Sequence, residues 1–381
     1  MSSSLGRALL SALLVTTLAA QRPVLTVGGT NPTHASLQAA VAAAAPDSVI
    51  MVRAGTHTGF TTNKPLRIVL DFTAATGSVV APAGAAYAIE VNGLLGDQEL
   101  AISGRGARIA GGTLGAVRVA NCSGRVVLDR VSVALGNVKT ALDVQNAAAV
   151  VVQNSSLDGR HALQAQDAVV ATQGVQWTSA VDIAIVAARA FLELTAGSCT
   201  GGSAPALRVA DSVLVLAGTG TTAIGVTGGP SVPVSAIEAV QSDVVWDPLR
   251  FALAPANGAP ALLRFGGQVT VQDMPALTAM SGPLGSPLTA TLRRGTSSFG
   301  MIAIGALRLP YPLAGVPDVW IDPAWATLVL AAGTVDAQGI TTQATWPNVP
   351  WLVGEMFCLQ GVVLGNGSGP LVTGPAMWIG L

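Results

Sequence analysis

Apolar and polar positions alternate with two different periods along this chain, and the change between them marks its first element. In "ASLQAAVAAAAPDSVIMVRAGTH", residues 35 to 57, Leu37, Ala40 and Val41 recur at helical spacing. Pro46-Asp47 breaks that pattern, and Val49-Ile50-Met51-Val52 then reads as a strand ending in a turn at Ala54-Gly55-Thr56. Beyond this point the period is two. The tetrapeptides "AIEV", "AVRV", "ALDV", "ALQA", "DIAI", "ALRV" and "AIEA" begin at residues 88, 116, 141, 162, 182, 206 and 236. Self-similarity at such spacing marks stacked supersecondary units. A second run follows each anchor some ten residues later, as in "VVLDRVSV", "VVVQNSSL", "VVATQGVQW", "FLELTAG" and "VLVLAGTG", and is read as alternating too. Each unit is therefore two or three short strands, and coiling the units so that equivalent strands pair in parallel buries a continuous Val/Leu/Ile column.

The repeat assigns columns. Ile89, Val117, Leu142, Leu163, Ile183 and Leu207 are expected to stack inside. Glu90, Arg118, Asp143, Gln164, Ala184, Arg208 and Glu238 then point outward, where opposite charges can pair between turns. Three places further on, Asn121, Asn146, Asp167, Ala187 and Asp211 fall where each strand bends, and Asn and Asp tolerate the left-handed backbone that a bend requires. The repeat stops near Asp247-Pro248. "DPLRFALAPANGAP" reads as a linker or final cap over residues 251 to 262, and residues 263 to 381 carry short strands between Pro and Gly turns at irregular spacing, the pattern of a small antiparallel β-sandwich.

With 44 Gly, 22 Pro, half the residues hydrophobic and a tenth charged, the composition fits many short strands around a large core. A net charge of −1 supplies no basic footprint for nucleic acid. Residues 1 to 20 set Arg7 before an apolar run from Ala8 to Leu18 and then small residues, the pattern of a secretory signal peptide. Export to the extracellular space, periplasm or cell surface is expected, with no membrane span left after cleavage. Three cysteines, Cys122, Cys199 and Cys358, form no CxxC pair, and the three histidines, His34, His57 and His161, lack metal-ligand spacing. Buried thiols, no metal and no cofactor are the expectation.

Leu37-Gln38-Ala39-Ala40-Val41, Asp47-Ser48-Val49-Ile50-Met51-Val52 and Gly55-Thr56 together resemble the opening of the pectin-lyase-like superfamily of right-handed parallel β-helices, over residues 24 to 250 or so. Pro46 and His57 depart from its usual Gly and aromatic. The resemblance implies an all-β fold: a right-handed parallel β-helix with an N-terminal capping helix over residues 21 to 250, followed by the sandwich. In the tail, "PALTA", "GPLGSPLTATL", "WLVGEMFCLQGVV" and "AMWIGL" resemble the C-terminal β-rich modules of secreted bacterial proteins.

That superfamily commonly cleaves acidic polysaccharides with carboxylates, often with calcium and an Arg or Lys base. The polygalacturonase-type motifs Asn-Thr-Asp, Asp-Asp, Gly-His-Gly and Arg-Ile-Lys are all missing here. The nearest approach to a catalytic set is Asp158, Arg160 and His161 in "LDGRH", placed beside Lys139 of the preceding turn. Sugar platforms need exposed aromatics, and Trp346 and Trp351, near Pro347 and Pro350, are the binding candidates. The sequence therefore favours a secreted structural or adhesive solenoid without catalysis, meeting extracellular polysaccharide or cell-surface components. A lyase or hydrolase of acidic polysaccharide and a non-catalytic carbohydrate-binding protein are the alternatives.

Overall fold

The computed structural model describes residues 22–72, 77–219, 222–227, 232–280, 284–313, 316–322, 327–349, 352–364 and 370–380. The signal peptide expected over residues 1 to 20 lies outside them. The described chain is all-β with a single α-helix, and 24 strands between Val24 and Val271 form one sheet in which every strand pairing is parallel. From Thr56–Thr58 onward, a strand characteristically pairs with the one a full turn later, so the chain coils as a parallel solenoid.

Helix α1, Leu37–Ala43, begins at Ser36, whose hydroxyl accepts a hydrogen bond from the Ala39 N–H at 3.2 Å. Leu37, Ala40 and Val41, at helical spacing, are buried in the same core as the first strands. Lys64 Nζ donates to the carbonyls of Val41, Ala42 and Ala44 at 2.7–3.1 Å, satisfying the end of a helix with no charge of its own. The outer edge of the first strand, Val24–Val27, is closed by side chains and a bend. Thr26 N–H donates to Thr33 Oγ1, Thr33 N–H to Thr26 Oγ1, and His34 N–H to the Thr26 carbonyl.

The interior column runs Ile89, Val117, Leu142, Leu163, Ile185, Leu207, Ile237, each pair in direct register and every side chain fully buried. Ile185 takes the place expected of Ile183. Both share a parity in "DIAI", and alternation of period two cannot distinguish a register from one shifted by two residues. The same shift moves the outward position from Ala184 to Val186 and the bend from Ala187 to Arg189. At the bends, Asn121, Asn146, Asp167, Arg189, Asp211 and Gln241 all take φ of 48° to 51°. Asn and Asp are therefore the common but not the obligatory residues there.

The second run alternates at Val213–Leu216, where Leu214 and Leu216 are buried and Val213 is exposed, but not in the turns that meet the C-terminal strands. In "VVL" at 126–128 and "VVV" at 150–152 all three side chains are buried, the even-numbered ones inside the coil and Val127 and Val151 on its outside. Burial on both faces is what a continuous apolar run encodes. The outer face of Ala101, Val127, Ala149, Val151 and Ala171 is covered by Leu307, Trp320, Met356, Cys358, Met377 and Ile379 from the C-terminal strands. Those strands are antiparallel: Ala276–Met280, Pro287–Arg293 and Ile340–Thr345 in one sheet, and Ser298–Gly305 between Leu328–Val335 and Met356–Leu364 in another. Leu288, Leu292, Ile302, Leu359, Trp346 and Trp378 lie in the core between them. Two glutamines stitch the parts together. Gln153 pairs with Met377 as a strand would, Nε2 to the carbonyl at 2.8 Å and Oε1 from the N–H at 2.7 Å, and Gln173 Nε2 donates to the Leu277 carbonyl.

Residues 251 to 262 are not a linker. Phe251–Ala254 pairs with Thr222–Val226 and Leu262–Phe265 with Ile237–Val240, so parallel register continues to Val269–Val271. The Pro and Gly content belongs to a turn inside the coil, at Asn257 and Gly258, which both take positive φ. Leu163 sits midway along the interior column, so Leu163→Asp buries an unpaired carboxylate. Chemical denaturation of that variant is expected to show a loss of roughly 4 kcal/mol; an unchanged midpoint would place Leu163 outside the core.

Candidate functional site

The parallel ladder sets equivalent residues of successive turns roughly 4.8 Å apart, so a polar column becomes a wall of interacting side chains. On the outward column, Arg118 lies between Glu90 and Asp143, at 3.5 and 3.9 Å, and Arg208 pairs with Glu238 at 2.8 Å. Along the bends, Asn121 Nδ2 donates to Asn92 Oδ1 and Asn146 Nδ2 to Asn121 Oδ1, both at 3.2 Å. Next comes a bidentate Arg189–Asp167 pair at 2.7 Å, whose hydrogen bonds hold the exposed Asp167 carboxyl below its ordinary range. Asn121, Asn146, Asp167, Arg189 and Phe191 line a shallow groove of about 390 Å³.

Lys139, Asp158, Arg160 and His161 do come from neighbouring turns, with Thr140 in register with His161 and the Arg160 N–H donating to the Lys139 carbonyl at 2.8 Å. The side chains of Asp158, Arg160 and His161 serve the wall. Asp158 Oδ2 accepts from the Gly136 N–H at 3.3 Å, Arg160 Nε donates to Asp182 Oδ2 at 3.0 Å, and His161 Nδ1 donates to the Ile183 carbonyl at 2.9 Å. Arg160 and His161 thus turn toward the following turn of the coil, and Asp158 toward the preceding one. They share a loop without facing a common point.

A polar cluster on the outward column includes a residue the sequence reading did not single out. Tyr87 precedes the strand Ile89–Asn92, and its hydroxyl donates to Asp143 Oδ2 at 2.6 Å. Gln145 Nε2 donates to both oxygens of the same carboxylate, at 3.1 and 3.2 Å, and Arg118 Nη2 donates to Gln145 Oε1 at 3.1 Å. The Arg118 guanidinium lies 5.6 Å from the Tyr87 ring centre. Asp143 is buried, and both of its oxygens accept hydrogen bonds within the cluster. Burial first, then the bond to Asp143, pushes the Tyr87 phenol well above its ordinary value. The cluster is thus a rigid donor and acceptor surface. It offers neither a free base nor an activated nucleophile. Tyr87 and Asp143 stand 56 residues apart, and only the repeat register links them.

Trp346 is not a platform. It is buried, stacked 4.5 Å from Trp378 and 4.8 Å from Phe357. Trp351 lies outside the described residues. Cys122, Cys199 and Cys358 are buried, unbridged thiols, and burial raises the pKa of each. Among the described residues no cluster of three His, Cys, Asp or Glu side chains is placed to hold a metal, and no helix is long and apolar enough to cross a membrane. No protein-family model matches this chain, and no curated protein matches its sequence.

Because the folded protein keeps the Tyr87 proton when the unfolded chain begins to lose it near pH 10, the stabilisation is complete below that pH and declines as the pH rises above it. Tyr87→Phe removes this contribution. Denaturation midpoints measured from pH 8 to 11 are expected to fall less steeply in the variant than in the parent; parallel curves would show that the phenol is not linked to folding.

Proposed function

We propose that this protein is a secreted or cell-surface structural or adhesive solenoid without catalytic activity. In this reading the coil is a right-handed β-helix of the pectin-lyase-like type, α1 is the cap of its first turn, and the C-terminal strands form a sandwich clamped to its side. The observation that carries it is the seam between the two parts. An apolar strip crossing several turns, with Gln153 and Gln173 bonded to backbone of the C-terminal strands, makes coil and tail one stiff body. A rod of that kind resists bending because every turn it spans is held from the side. The engagement of Asp158, Arg160 and His161 in wall-building bonds supports the non-catalytic part of the reading.

A second reading, carbohydrate binding, is favoured by one observation, the fixed Tyr87–Asp143–Gln145–Arg118 surface, whose donors and acceptors match hydroxyl-rich ligands.

Two measurements test these readings. Gln153→Leu strands the Met377 N–H and carbonyl in the seam, so it is expected to lower stability by about 2 kcal/mol within a single unfolding transition; two separate transitions in the parent protein would contradict a stiff body. Reducing-end and unsaturated-product assays on a panel of acidic polysaccharides, with and without calcium, are expected to show no turnover. Turnover lost in Asp158→Ala and Arg160→Ala would establish a lyase or hydrolase instead. Glycan-array binding lost in Arg118→Ala would establish the binding reading.

A further inference from the structure

The two ends of the solenoid differ. At the first turn α1 lies over the interior and the Thr26–Thr33 bonds close the strand edge. At the last turn the interior columns reach solvent. Leu253, Leu262 and Val269 are only partly buried, and Val271, in register with Trp246 and Leu216 beneath it, is 64% exposed. The outer edges of Phe251–Ala254, Leu262–Phe265 and Val269–Val271 have no further parallel partner among the described residues. Leu249 and Phe265 add exposed apolar surface beside them. Solenoids need their ends covered, because an open end presents both core and unpaired strand edge.

Charge identifies what fits there. Arg264 occupies an interior column position, in register with the buried Ala239, yet it is exposed, with Nη1 on the Gly267 carbonyl as its one hydrogen bond among the described residues. A second copy meeting this end face to face would set Arg264 against its own equivalent. The opposite end of the same chain offers a flat surface of small side chains beside one exposed carboxylate. Between Gly28 and Ser48 the only charged side chain is Asp47, 3.6 Å from Arg22 yet 62% exposed, and the outer surface of α1 carries no charge of its own, being made of Gln38, Ala39, Ala42 and Ala43, with Lys64 on the carbonyls at its end. We propose that the protein stacks head to tail, the α1 surface and Asp47 of one copy covering the open last turn and Arg264 of the next. This deepens, and rests on, the structural reading, since a heterologous contact of this kind does not close on itself and builds a filament from rods.

Ala42 and Val271 are both exposed, so Ala42→Glu and Val271→Glu block one end each while leaving the fold intact, which circular dichroism checks. Analytical ultracentrifugation of the full chain at concentrations up to about 100 μM, the range a small end contact demands, is expected to show concentration-dependent oligomers that shorten in high salt. Each variant alone is expected to be monomeric, and an equimolar mixture to form dimers and nothing larger, because the last turn of Ala42→Glu and the α1 end of Val271→Glu are the one unblocked pair. A parent protein that stays monomeric overturns the proposal. So does loss of assembly in Val271→Glu alone with Ala42→Glu unaffected, which is the signature of a face-to-face dimer. Polysaccharide turnover would sink the structural reading while leaving these sedimentation results unchanged, so the two failures are told apart.

Discussion

Everything in this molecule follows from one constraint, the parallel backbone register that holds each turn roughly 4.8 Å above the last. Once Val117 pairs with Ile89 and Leu142, every other residue of the turn is placed over its counterpart. A column is then uniform in environment, and its chemistry is amplified by repetition. Apolar columns become a continuous core, amide columns become the Asn92–Asn121–Asn146 ladder, and charged columns become the alternation of Glu90, Arg118 and Asp143. A partly exposed pair such as Arg118–Glu90 contributes little by itself. Its effect is on register, because a slipped turn sets like charges over one another.

The same register creates the seam. A solenoid needs only its inner face apolar, so Val127 and Val151, pointing outward, expose surface that something must cover. The C-terminal strands cover it, and the two glutamines align them. Gln153 meets Met377 with the donor and acceptor spacing of a peptide group, which gives a side chain the role of a strand edge. In a fully buried seam such a pair costs little when complete and much when one partner is lost, so the coil and tail are fixed in one alignment. The Tyr87–Asp143 cluster shows the converse: polar groups that bond to one another within the wall become part of the scaffold.

The chain's period-two pattern and the recurrence of its anchors determined a great deal without any coordinates. The all-β class, the parallel stacking, the column of Ile89, Val117, Leu142, Leu163 and Leu207, the bends at Asn121, Asn146 and Asp167, and the helix over residues 37 to 43 are local or periodic properties, and sequence carries them directly. What sequence could not decide is whatever depends on a count or on a distant partner. The choice between Ile183 and Ile185 preserves alternation, so only the loop that closes that turn settles it. The burial of Val127 on an outer face depends on strands two hundred residues later, and the Pro and Gly turn at 257–258 reads the same whether it ends a domain or one turn of the coil. The fate of polar residues was the least legible. Asp158, Arg160 and His161 are brought close but turned to bond along the wall, while Tyr87 gains its partner from a residue two anchors away. Side-chain direction and pairing are set when the turns stack, and that information exists only in three dimensions.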